Sequence, residues 1–192
     1  THRAVEIRAE TDRLTGLWNH GALIEQIEAL VRAGTRFAML MVDLDYFKHY
    51  NDQFGHQAGN VMLQRVARVL NASGRDSDLV FRYGGDEFAL LLPGTGVAGA
   101  RTVAEKVHDA ISSVNKGDES VAVTCSVGMA VYPRDGDSSA AIILAADRAC
   151  YAGKRAGRNQ IATAAEGLAL ATEFRPTEPM PVELVAASYS AA

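Results

Sequence analysis

Val80-Phe81-Arg82-Tyr83-Gly84-Gly85-Asp86-Glu87-Phe88-Ala89-Leu90-Leu91-Leu92 reads as two apolar strands joined by a turn of two glycines and two carboxylates. A Gly-Gly pair suits a tight hairpin whose two central residues take φ > 0, and the missing side chains let a ligand approach the backbone. Asp86 and Glu87 then stand at the hairpin tip, where hard oxygen ligands could hold a divalent cation. A solvated acidic turn is the plain alternative, and the rest of the chain has to decide between them.

Upstream, Phe37-Ala-Met-Leu-Met-Val42 is a continuous apolar run, as expected of a central strand covered on both faces. Met39-Leu40-Met41 within it is core. A helix before it carries Leu23, Ile27, Leu30 and Val31 at helical spacing, with Asn19 as a candidate cap and Gly34 as its stop. A helix after it has Met62, Val66, Ala67 and Leu70 on its inner face. Beyond the hairpin strands, predicted over 79–83 and 88–92, Pro93-Gly94 ends the ladder and a helix carries Val97, Ala100, Val103, Ala104, Val107 and Ile111. Residues 121–131 alternate as a period-2 strand. A last long helix is predicted over 138–156, stopped by Gly157, and 159–162 adds a short edge strand.

The order β-α-β-β-α-β is the split βαβ, ferredoxin-like plan, an α+β class with a mainly antiparallel sheet flanked by helices. In that topology the first and third strands are antiparallel neighbours. The end of the first, Asp43-Leu44-Asp45, therefore lies beside Gly84-Gly85-Asp86-Glu87. A helix returning from the last strand brings Lys154 and Arg158, spaced i, i+4, to the same rim. Acids for a metal and bases for phosphate at one edge exceed what solvation alone would place there.

The chain has 192 residues, 48% hydrophobic and 22% charged, with a net charge of −4. Those values describe a globular domain and argue against a general nucleic-acid binder. No apolar run is long enough to cross a bilayer, and no signal peptide is visible. Cys125 and Cys150 lack metal or disulfide spacing and read as buried, reduced thiols. A cytoplasmic location follows as the expectation, with no direct membrane contact from this segment. The start at Thr1 suggests a piece of a longer protein, which could itself be membrane-anchored. Residues 1–11 read as the end of an upstream helix, 12–163 as the domain, and 164–192, where periodicity fails and prolines recur, as a flexible tail.

Taken together the chain resembles the GGDEF domain of bacterial diguanylate cyclases. The resemblance rests on Asp12-Arg-Leu-Thr15-Gly16-Leu17-Trp-Asn19, Asp43-Leu-Asp45-Tyr-Phe47-Lys48, Asn51-Asp52, Gly55-His56 and Gly59. It continues in Arg82-Tyr-Gly84-Gly85-Asp86-Glu87-Phe88, Ser126-Val-Gly128, and Ala146-Asp147 through Lys154-Arg-Ala-Gly157-Arg158-Asn159. It implies a palm-like fold, a homodimer, and condensation of two GTP into cyclic di-GMP with release of two pyrophosphates.

The same resemblance implies a metal, Mg²⁺ or Mn²⁺, on Asp43, the Leu44 carbonyl and Asp86, with Glu87 as further ligand or base. Asp45 has two readings, a direct catalytic part or a cap on the following helix. Tyr46, Phe47 and Lys48 stand where strand turns to helix, with free backbone N–H groups for phosphate; Lys48 could add its ammonium to catalysis. Lys154 and Arg158 are implied ligands of the β- and γ-phosphates, beside Gly84 and Gly85. Asn51 and Asn60 correspond to the guanine-reading pair, but the family usually has Asp where Asn60 stands. A carboxylate accepts from both guanine N–H groups, whereas a carboxamide pairs better with adenine's mixed edge. Relaxed purine choice, giving cyclic AMP-GMP, is therefore an alternative to strict GTP use. Arg75 and Asp78 match the family's RxxD inhibitory product site. A receptor of cyclic di-GMP with weak catalysis is the other alternative. His20 replaces the usual Arg of the lead-in motif, and His56 is expected to be structural.

Overall fold

The computed structural model describes residues 10–114 and 123–173. Eleven elements follow in order: α1 (His20–Arg32), β1 (Phe37–Leu44), α2 (Phe47–Phe54), α3 (His56–Ser73), β2 (Leu79–Arg82), β3 (Glu87–Pro93), α4 (Val97–Ser112), β4 (Cys125–Tyr132), α5 (Ser139–Arg155), β5 (Ile161–Thr163) and α6 (Ala164–Glu173). The five strands form one sheet in the order β2-β3-β1-β4-β5. All pairs are antiparallel except β4 with β5. No described helix is long and apolar enough to cross a membrane.

Alternation along β1 divides the core. Ala38, Leu40, Val42 and Leu44 face α3 and α4, while Phe37, Met39 and Met41 face α1 and α5. Every residue of β1 is buried, as the unbroken apolar run requires of a strand with helices on both faces. Asp43 shares the parity of Met39 and Met41, so it belongs to the α5 face. On β3, Glu87 lies directly opposite Asp43 in the register.

β4 also departs from a half-exposed strand: all but its last residue are buried. Its large side chains, Cys125, Val127, Met129 and Val131, fill the α3–α4 core, and its small ones face α5. Gly128 shows why. A Cβ there would lie 2.0 Å from the Ala146 carbonyl oxygen and 2.3 Å from the Cys150 nitrogen, so the backbone of α5 rests directly on the strand. Residues 121 and 122 of the predicted strand, 1–9 of the predicted upstream helix and 174–192 of the predicted tail lie outside the described residues.

Three expectations need correction. Neither Gly84 nor Gly85 has a positive φ. The ladder's last pair is Arg82 with Phe88, and both Tyr83 N–H and Gly84 N–H donate to the Glu87 carbonyl. The wider turn so formed does not demand the left-handed region. Second, α5 ends at Arg155, and Arg158 stands beyond Gly157 with φ +64°, so Lys154 and Arg158 do not share a helix face. Third, α6 occupies the start of the predicted tail. Glu166 accepts from Thr163 N–H at 2.6 Å and Thr163 Oγ1 at 2.7 Å, a side-chain cap at its beginning. Gly167 lets its backbone meet that of α5 at Arg148 and Ala149.

Candidate active site

Pairing of β1 with β3 sets the carboxylates side by side. Asp43 opposes Glu87, and Leu44 N–H donates to the Asp86 carbonyl at 3.3 Å. Asp43 is only 6% exposed, whereas Asp86 and Glu87 are half-buried at the rim. The turn is clamped by Arg82. Its Nη1 lies 3.1 Å from both Asp12 carboxylate oxygens, and its Nε and Nη2 donate to the Gly85 carbonyl at 3.2 and 2.8 Å. Asp12 is held in turn by Thr15 N–H and Oγ1. His20 packs its ring edge-on against Tyr83, centroids 4.7 Å apart, so the position that usually carries Arg still ties α1 to the hairpin. A Cβ on Gly84 would come within 3.0 Å of Glu87 Oε2; this glycine makes room for the carboxylate rather than supplying a special φ.

From the last turn of α5, Lys154 reaches down and donates to Asp43 Oδ2. The other oxygen, Asp43 Oδ1, is buried with no hydrogen-bond partner. An orphaned buried carboxylate oxygen costs on the order of 1–3 kcal/mol, a cost that a bound cation would remove. Burial pushes the Asp43 carboxyl up to about 7, with Asp86 and Glu87 adding to that push while the Lys154 ammonium opposes it. Burial, and then Asp86, raise Glu87 as well. Burial lowers the Lys154 pKa, but its hydrogen bond to Asp43 and the negative charges around it, Asp43 and Asp86 among them, together outweigh this and raise it. Among the described residues no three His, Cys, Asp or Glu side chains are already arranged as a metal cage. The donor set nonetheless fits a hard divalent cation: one free buried carboxylate oxygen, and two further carboxylates at the same rim.

Asp45 caps no helix; α2 begins at Phe47, and its N-cap residue, Tyr46, makes no side-chain cap. Its buried carboxylate instead accepts from Thr124 Oγ1 at 2.8 Å, Ser126 Oγ at 2.8 Å and Asn159 N–H at 2.9 Å. It fastens the end of β1 to β4 and to the loop after α5. Tyr46 takes φ +56° and exposes its ring, over which the Arg158 guanidinium stacks at 4.5 Å from the centroid. Arg158 also donates to Tyr46 Oη at 3.3 Å. Lys48 is exposed in the first turn of α2.

Asn51 sits on Gly59: a Cβ at 59 would meet Asn51 Oδ1 at 1.8 Å. Asn60, next in α3, is exposed. Arg75 and Asp78 lie at the far end of β2 from the turn, about 13 Å of strand away. Arg75 N–H donates to Asp78 Oδ2 at 2.9 Å, so part of that carboxylate closes its own loop. Cys125 and Cys150 are buried and free, their thiols pushed up by burial, which suits inert packing. Arg82 and Gly128 had no role assigned from sequence; their partners, Asp12 and α5, are distant in the chain.

The sequence profile described as "Diguanylate cyclase, GGDEF domain" matches residues 9–160. The response regulator PleD of Caulobacter vibrioides is 37% identical over 161 residues, covering 80% of this chain and 36% of that protein. The diguanylate cyclase DgcP of Pseudomonas aeruginosa is 38% identical over 164 residues, covering 82% of this chain and 24% of its own length. The chain thus spans about a quarter to a third of these curated relatives. Among solved structures, the coiled coil and GGDEF domain of DgcB from Caulobacter crescentus, in complex with c-di-GMP, superposes with a TM-score of 0.77 at 30% identity. That match covers 84% of this chain and 89% of that one.

Proposed function

The chain belongs to the GGDEF-domain family of diguanylate cyclases, and from that premise we propose that it condenses two GTP molecules into cyclic di-GMP, releasing two pyrophosphates. The observation that carries this reading is the meeting of Asp43, Asp86, Glu87 and Lys154 at one end of the β1–β3 ladder. Asp43, the Leu44 carbonyl and Asp86 would hold a divalent cation, Mg²⁺ or Mn²⁺, beside Glu87. When bound, such an ion polarises the α-phosphate and acidifies the attacking 3′-hydroxyl.

The chain's own groups divide the remaining work. Lys154, Arg158 and the uncapped N–H groups of the first turn of α2 bind the β- and γ-phosphates and receive the leaving pyrophosphate. Gly84 and Gly85 let the nucleotide lie against the backbone. Glu87, its carboxyl raised by burial, is suited to take the 3′-hydroxyl proton. Asn51 and Asn60 hold the base. One chain binds one GTP, so the reaction needs two chains facing each other as a homodimer. The DgcB structure is a complex with c-di-GMP, which supports the reading that Arg75 and Asp78 bind the product as an inhibitor.

Asn60 favours a second reading, in which ATP is also accepted and cyclic AMP-GMP forms. Incubating the protein with Mg²⁺ and GTP, ATP or both, then weighing the products, tests both readings. Cyclic di-GMP from GTP alone, at a rate rising more than linearly with protein, is expected. No product, together with tight cyclic di-GMP binding, refutes catalysis in favour of a receptor. Asn60→Asp should remove any mixed product and tighten GTP use; an unchanged product ratio and KM would clear Asn60 of a part in base choice.

A further inference from the structure

We propose that Lys154 is a built-in counter-ion that withholds Asp43 from a divalent cation until a triphosphate arrives, so that cation and nucleotide bind cooperatively. This rests on the reading of the site as a metal-assisted nucleotidyl transferase. Its basis is the way Lys154 is shared. The ammonium donates to Asp43 Oδ2 and is the cation felt in common by Asp43, Asp86, Glu87 and Asp147. The pocket is thus partly neutralised from within. Asp43 is left with a single open oxygen, buried Oδ1.

A dication on Oδ1 and an ammonium on Oδ2 of one carboxylate would repel strongly in a half-buried setting. A triphosphate changes that balance. Its anionic oxygens offer the ammonium several strong acceptors in place of one, and add negative charge between the two cations. Lys154 is free to make the exchange because its stem is flexible and its side chain 31% exposed. The helix beneath it is not, since α5 rests on Gly128. The switch is therefore one of side-chain rotamer alone. By linkage the cation must tighten the nucleotide by the factor that the nucleotide tightens the cation.

The test titrates Mn²⁺ into the full chain and reads free Mn²⁺ by electron paramagnetic resonance, with and without a GTP analogue bearing a non-hydrolysable α,β-methylene bridge, after subtracting the Mn²⁺ that the analogue chelates without protein. Wild type should bind Mn²⁺ weakly alone and on the order of tenfold tighter with the analogue. Lys154→Met should bind Mn²⁺ alone on the order of tenfold tighter than wild type, the effect of deleting one close like charge. Its gain from the analogue should shrink. Lys154→Gln should behave as Lys154→Met, and Lys154→Arg, which keeps a cation on Asp43, as wild type. Equal Mn²⁺ affinity of Lys154→Met and wild type without nucleotide overturns the counter-ion role. Asp43→Asn separates the two ways of failing. If it abolishes Mn²⁺ binding while Lys154→Met gains nothing, the metal site stands and the counter-ion role falls. If Mn²⁺ binding is indifferent to Asp43→Asn, the metal site falls and the counter-ion role with it.

Discussion

Replacing Asp45 by alanine and by asparagine separates a structural carboxylate from a catalytic one. Asp45 is 7% exposed, and its two oxygens take three hydrogen bonds, from Thr124 Oγ1, Ser126 Oγ and Asn159 N–H. Alanine strands all three donors, of which Ser126 is fully buried. At about 1–3 kcal/mol per stranded buried donor, and less where water reaches the exposed Asn159, the loss should be about 3 kcal/mol. With a urea m-value of about 2 kcal/mol/M, the unfolding midpoint should fall by about 1.5 M. Asparagine should behave differently. Its carbonyl oxygen, placed at Oδ2, keeps Thr124 and Asn159, and its NH₂ donates to Ser126 Oγ, whose hydroxyl can turn round and accept. Its loss should be about 1 kcal/mol or less. Urea melts followed by circular dichroism, with GTP turnover on the same samples, provide the assay. Asp45→Asn should keep a near-wild-type midpoint and its activity, while Asp45→Ala unfolds about 1.5 M earlier and turns over GTP more slowly. A folded but inactive Asp45→Asn would show that the charge itself serves catalysis, and would refute the reasoning.

Three further outcomes follow from the geometry. Gly59→Ala puts a methyl 1.8 Å from Asn51 Oδ1, so Asn51 must swing away; KM for GTP should rise well before thermal stability changes, and an unaltered KM would detach Asn51 from the base. Gly128→Ala drives a methyl into the backbone of α5 and should cost about 2–3 kcal/mol, read as a lower Tm; an unchanged Tm would mean that helix and strand are not in contact. Burial pushes Asp12 up, but Thr15 and Arg82 together prevail and hold its carboxyl below its ordinary value of 3.8. Its contribution is therefore full above that unfolded value and is lost as pH falls through the lower folded one. The stability gap between wild type and Asp12→Asn should be constant near neutrality and close below about pH 4; a gap that persists into stronger acid would contradict it.

The two core faces and the juxtaposition of Asp43 with the hairpin were legible because they follow from local period and from one rule of topology. What escaped depends on partners far along the chain or on turn length. Asp45 looked like a helix cap because its true partners are 79 to 114 residues away. The two glycines looked like a left-handed turn because the loop was read as two residues, whereas the ladder closes only at Arg82 and Phe88. Arg158 looked helical by spacing, but Gly157 had already ended the helix. The last helix among the described residues, α6, has no apolar stripe; it docks through Gly167, and Leu168 is left 57% exposed. The Thr163–Glu166 cap was the one local sign of it.

Gly128 and Gly167 together have a mechanical consequence. The sheet touches α5 main chain to main chain, and α5 touches α6 at Arg148 and Ala149 in the same way. Side chains in an ordinary interface take up small shifts by changing rotamer, but peptide planes in contact have no such slack. The three layers thus behave as a solid block with Lys154 at its corner. A displacement of α6 is therefore passed to the backbone of α5, whose last turn carries Lys154, while the hairpin turn across from it is held separately, by Arg82 on Asp12 and on the Gly85 carbonyl.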